Sequence, residues 1–139
     1  MKKSIFLSLV LAITLTLSSC VKDDEPNFHF VPLQIQSADL PDSFSLNETY
    51  QIDVTYTIPD GCTGFSGFDV TSGNDTTTRN VVVIGTTRTD QDACTQATQE
   101  ATGTFNFRVV YSDTYLFRFW QGEDEEGNQQ YLEIEVPVM

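Results

Sequence analysis

Histidine is almost missing from this sequence. His29 is the single one in 139 residues, so a zinc site built on imidazoles, or a histidine-activated nucleophile, has too little to draw on. Cations are also scarce: seven Lys and Arg face twenty Asp and Glu, for a formal net charge of −13. Such a surface repels nucleic acid and anionic lipid, which argues against DNA or RNA as a partner. No phosphate-cradling glycine loop, nucleophile motif or internal repeat occurs. Carboxylates are plentiful, but a glycosidase needs two of them opposed across a cleft, which one small domain rarely builds. No enzyme and no cofactor is expected. Long apolar runs are missing too, since none reaches the length of about 20 residues that a membrane helix requires.

The longest apolar run that does occur is "IFLSLVLAITLTL", residues 5–17, behind the positive start Met1-Lys2-Lys3. Its length suits the h-region of a signal peptide. The residues that follow, Leu17-Ser18-Ser19-Cys20, resemble the lipobox of bacterial lipoproteins. In that family Cys20 becomes the new N-terminus and carries lipid, whose acyl chains anchor through buried methylenes at about 0.8 kcal/mol each. The run Lys22, Asp23, Asp24 and Glu25 resembles the surface-export signal of Bacteroidetes lipoproteins. A solvated tether would have the same composition, and the two readings are compatible. The resemblance implies a signal peptide over 1–19, a lipidated tether over 20–29, and attachment to the outer membrane at the cell surface. The domain is then 30–139, one unit by size. Loss of Lys2 and Lys3 leaves five cations against twenty acids, a net charge of −15.

With Cys20 assigned to lipid, Cys62 and Cys94 form an even pair. In an oxidising compartment such a pair reads as a disulfide. It closes a loop of about 33 residues, worth roughly 3 to 4 kcal/mol in the chain-entropy treatment. A metal site and a free reactive thiol are the rival readings, and both are short of histidine.

Ten Phe, five Tyr and one Trp are more large rings than a disordered chain carries. From residue 30 onward the apolar period is two. "FVPLQIQ" alternates, as do "TYQIDVTYTI", "TGTFNFRVV", "TYLFRFW" and "QQYLEIEVPV". "NVVVIG" is continuous, and in "GFSGFDV" Phe65 and Phe68 fall out of step. Breakers such as "DLPDS", "PDGCTG" and "TDQDACTQ" separate the runs. The pattern predicts an all-β, antiparallel two-layer sandwich of about seven strands. Residues 104–138 look like the E-F-G end of an immunoglobulin-like domain. The antibody Cys…Trp…Cys pattern is missing, so the bridge is expected to staple loops or ends rather than the two sheets through the core.

Four groups of residues are candidates for a site. Trp120 and Arg118 share a phase opposite to Tyr115, Phe117 and Phe119, which places them on the surface and makes them the first candidates for a protein or glycan ligand. Asn74 and Asp75 lie in a polar loop, where turn residues are common without any ligand. Glu123, Asp124, Glu125 and Glu126 are weak calcium candidates: consecutive carboxylates at a turn point apart, and a solvated hairpin tip is the better reading. Finally, "IPDGCTGF" with the later "RFWQ" faintly looks like the chagasin-type cysteine-protease inhibitors. That resemblance would match Pro59, Thr63, Gly64, Phe65, Arg118 and Trp120 to inhibitory loops, with two extra residues in the first and Phe119 in place of a proline.

The expectation is a surface-anchored, monomeric lipoprotein serving as a binding or accessory module. A structural envelope protein without a ligand is the alternative, and a protease inhibitor comes third.

Overall fold

The computed structural model describes residues 27–139. The expected signal peptide 1–19, the lipidation site Cys20, and Lys22, Asp23, Asp24 and Glu25 lie outside the described residues. Eight strands follow: β1 (Phe28–Leu33), β2 (Ile35–Asp39), β3 (Thr49–Ile58), β4 (Thr63–Ser72), β5 (Thr78–Arg88), β6 (Gln99–Arg108), β7 (Tyr115–Glu123) and β8 (Gln129–Val136). They form a two-sheet, all-β sandwich. One sheet holds β1, β4, β5, β7 and β8, and the other holds β2, β3 and β6. Phe28 and His29, expected in the tether, belong to β1.

The eighth strand arises because "FVPLQIQ" is two strands. β1 pairs with the far half of β5, Leu33 opposite Val83, and β2 pairs with β3 in the other sheet. The switch is at Gln34. There β7 takes over the same edge of β5, with Thr78 opposite Leu116 and Val81 opposite Phe119. This β5–β7 pairing is parallel, a departure from the wholly antiparallel expectation. Alternation persists straight through the switch, so the apolar pattern carries no sign of it. Close approach also marks the spot: Gly122 has φ 112°, and a Cβ there would stand 2.6 Å from Gln34 Nε2.

"NVVVIG" becomes β5, the centre of the larger sheet, flanked by β4 on one edge and by β1 and β7 on the other. Val81 and Val83 are buried, while Val82 and Ile84 are half-buried on the outer face. The broken phase of Phe65 and Phe68 is a β-bulge between Phe65 and Gly67. The extra residue restores both rings to the inner side, where they pack 5.4 Å apart.

The core lies between the sheets and is rich in rings. Phe44, Tyr115, Phe117 and Phe119 are fully buried. Phe107 packs edge-on to Phe117 at 5.0 Å, and Phe44 lies 4.8 Å from Tyr50. Phe44 comes from a segment that the breakers "DLPDS" mark as loop. It is held by a short parallel bridge to Val138, with its N–H donating to Pro137 O at 2.8 Å.

Cys62 and Cys94 form a disulfide, Cα–Cα 5.4 Å. As expected it joins connections rather than sheets. Cys62 lies where the chain crosses from β3 to β4, and Cys94 where it crosses back from β5 to β6. Gly61 N–H donates to Thr95 O at 2.9 Å beside the bridge, and a Cβ on Gly61 would collide with Thr95 Oγ1.

Candidate functional site: an aromatic corner on the outer face of the larger sheet

Alternation along β7 places Tyr115, Phe117 and Phe119 in the core and Leu116, Arg118 and Trp120 on the outer face. Across the β7–β8 ladder Arg118 stands opposite Glu133 and Trp120 opposite Tyr131. Arg118 Nε donates to Glu133 Oε1 at 2.9 Å, and the guanidinium lies over the Tyr131 ring, 4.1 Å from its centroid. That geometry is a cation–π stack. Arg118 also reaches Asn80 Oδ1 on β5, at 3.5 Å.

Trp120 is fixed just as closely. Its indole N–H donates to the side-chain carbonyl of Gln129, and the Gln129 amide donates to Glu123 Oε1 at 2.6 Å. The indole is thus half-buried, locked in orientation, and placed at the corner where β1 leaves the sheet. Two hollows meet at it. One, of about 310 Å³, runs toward the smaller sheet and is lined by Gln34, Thr57, Pro59 and Thr98. The other, of about 340 Å³, lies on the outer face among Pro32, Val82, Glu123, Gln129 and Tyr131. Trp120 and Pro32 line both. The outer face continues along β1 to Phe30 and Phe28, two exposed rings 5.6 Å apart.

The structure therefore brings Arg118 and Trp120 together and adds Tyr131, Gln129 and Pro32, which the sequence reading did not select. Parity marks Tyr131 as outward, because Leu132 and Ile134 point in. Its place opposite Trp120 depends on a bulge between Trp120 and Gly122 that no pattern announces.

The other candidates serve the fold. Asp75 sits in the β4–β5 hairpin and accepts the N–H groups of Thr78 at 2.7 Å and Thr77 at 3.1 Å. Hydrogen bonds from the Thr78 side chain and backbone hold its carboxyl below the usual carboxylate range. Asn74 lies beside it, and neither residue lines the two hollows. In the β7–β8 turn Asp124 accepts the N–H groups of Asn128 at 2.8 Å and Glu126 at 2.9 Å. The Asn128 backbone is the main cause of its lowered pKa. Glu126 accepts from Asn128 Nδ2, and Glu123 is turned to Gln129. These acids organise a tight turn, closed by Gly127 at φ 84°. Among the described residues no three His, Cys, Asp or Glu side chains converge as a metal set.

The inhibitor-loop match fails on geometry. Arg118, Phe119 and Trp120 lie inside β7, with Phe119 fully buried. Thr63, Gly64 and Phe65 lie inside β4, and the Thr63 hydroxyl is tied to Asp60 Oδ1 at 2.9 Å. Strand ladders hold these residues, and the connection from Pro59 to Cys62 is tied down by the disulfide and by Gly61 N–H donating to Thr95 O.

Fold and site together define a β-sandwich domain with a shallow, ring-lined outer face. The chain belongs to the ORF11 beta-sandwich domain family, whose model matches residues 52–132. The match runs from β3 into β8 and takes in Cys62, Cys94, Trp120 and Tyr131. No curated protein and no solved structure matches the chain.

Proposed function

We propose that this protein is a lipid-anchored, cell-surface binding module without catalytic activity, and that it holds a neutral glycan against Trp120. One observation carries the reading: a single locked indole forms the wall common to two adjoining hollows. Sugar rings present axial C–H faces to aromatic rings and hydroxyls to amides and carboxylates. Trp120, Tyr131 and Pro32 supply the first kind of surface, and Gln34, Gln129 and Glu123 the second. The indole is already fixed, so little side-chain freedom is lost on binding. Net acidity disfavours an acidic polymer. The lipobox-like Leu17–Cys20 and the acidic run after it support the surface address.

The test is affinity electrophoresis of the purified protein through neutral and acidic polysaccharides. Retardation by a neutral polymer is expected, with at least a tenfold weaker apparent affinity for Trp120→Ala, about 1.4 kcal/mol. Migration unaffected by every polymer, or equal retardation of the variant, would overturn the reading in favour of a structural envelope protein.

A further inference from the structure

We infer that the free edge of β6 pairs with β6 of a second copy, antiparallel and centred on Thr104. The inference is independent of the glycan reading, because β6 lies in the other sheet from Trp120.

Edge strands expose a row of backbone donors and acceptors, and folded proteins usually blunt them with bulges, shortness or charge. Four edges here are blunted. β1 has six residues and carries Pro32. β2 has five residues and a register shift, and β4 carries the bulge at Phe65. β8 shows Glu133 and Glu135 on its outer face, so self-pairing would set acid near acid. β6 is neither short nor bulged, and its exposed charges, Glu100 and Arg108, are of opposite sign. It is ten residues long, contains no proline or lysine, and pairs with β3 from Gln99 to Arg108 without a register shift. Among the described residues no strand pairs with its second edge.

The charges on β6 select both partner and register. Its exposed face carries Glu100, Thr102, Thr104, Asn106 and Arg108. A two-fold axis through Thr104 sets Glu100 of each copy opposite Arg108 of the other, giving two ion pairs of opposite sign. The same axis sets Thr104, whose hydroxyl donates to Asp53 on β3, opposite itself, and Thr102, which shares a hydrogen bond with Thr55, opposite the Asn106 amide, so no like charges meet. On the inner side it sets Gly103 opposite Phe105, small against large. Arg108 has charge to spare for this. Among the described residues Arg88 and Arg118 are ion-paired and Arg79 lies over Tyr115, while Arg108 has neither kind of partner. Glu100 is likewise unpaired among the described residues. The result is an isologous contact that joins two three-stranded sheets into one of six.

The register makes the test sharp. In the full-length chain in detergent, Thr104→Cys should give a disulfide-linked dimer on mild oxidation, because the residue meets its own copy. Asn106→Cys, which meets Thr102, should link at least tenfold less. Mixing Thr102→Cys with Asn106→Cys should restore linkage. Separately, Glu100→Arg and Arg108→Glu should each weaken self-association at least tenfold by sedimentation, and the double swap should recover it. A wild-type chain that sediments as a monomer at all concentrations, equal cross-linking at 104 and 106, or a double swap as weak as the single changes would each overturn the pairing.

Discussion

The hydroxyl of Tyr115 accepts two backbone N–H groups from the corner that precedes its own strand, Tyr111 at 3.0 Å and Val110 at 3.1 Å. The ring is fully buried, edge-on to Phe107 at 5.1 Å, with the Arg79 guanidinium 5.3 Å from its centroid. One side chain thus fixes the β6–β7 corner from inside the core, the arrangement known in sandwich domains as a tyrosine corner. Tyr115→Phe keeps the packing and leaves two donors without their acceptor. A loss of about 1 to 3 kcal/mol is expected. Thermal unfolding should show it as a fall of at least roughly 5 °C; an unchanged midpoint would mean that water replaces the hydroxyl at no cost.

The Cys62–Cys94 bridge joins two of the crossings between sheets, β3–β4 and β5–β6, and spans a sequence separation of 32. Loss of such a native bridge typically costs about 2 to 5 kcal/mol. Cys62→Ala with Cys94→Ala should lower the melting temperature by roughly 10 °C or more, with the sheet signal in circular dichroism intact when cold. Two free thiols in protein taken from an oxidising compartment would refute the bridge.

Three exposed carboxylates are held below their ordinary range. The Thr78 side chain acts on Asp75, the Arg88 guanidinium on Asp90, and the Asn128 backbone on Asp124. A folded pKa below the unfolded value favours the native state only while the group is ionised. Their contribution is complete above about pH 5 and is lost as pH falls from about 4 through the folded values. The melting temperature of Asp75→Asn/Asp124→Asn should start lower at neutral pH and drop less between pH 5 and 2.5. Parallel curves for parent and variant would show that these turns do not carry the acid sensitivity.

Lipid attachment at Cys20 is checked by metabolic labelling with a fatty acid. Label should enter the wild type and not Cys20→Ala, while Lys22→Ala/Asp23→Ala/Asp24→Ala should keep its label and lose access to external protease on whole cells. Equal labelling of wild type and Cys20→Ala would dismiss the anchor.

Period-two alternation made most of this fold readable, since each inward residue of β3, β7 and β8 is named by its phase. Three features were hidden for physical reasons. The sheet switch at Gln34 leaves phase unbroken. The parallel β5–β7 pair is a matter of which strand reaches an edge, which local patterns do not encode. Phe44 acts alone from a loop, held by Pro137 and Val138 just past β8. Of the site, phase exposed Trp120 and Arg118, but their partners Tyr131 and Gln129 depend on register across a bulge. The acidic turn reads as a solvated hairpin tip and only weakly as a calcium site, because charge is visible in sequence whereas the backbone N–H groups that engage Asp124 are not.

The disulfide also bears on mechanics. Asn27, just ahead of β1, accepts the Thr89 N–H on its carbonyl at 2.8 Å, and the adjacent Arg88 N–H donates to Cys62 O at 3.0 Å. A pull on the N-terminal segment is therefore delivered within two hydrogen bonds to the end of the sandwich where the β3–β4 and β5–β6 crossings are covalently joined. Sheets held only by side-chain packing can peel apart when drawn from one end. Here the end that takes the load is the end that cannot open, so a domain tugged through its N-terminus would yield first at the far side, around Phe44 and the Asp75 hairpin.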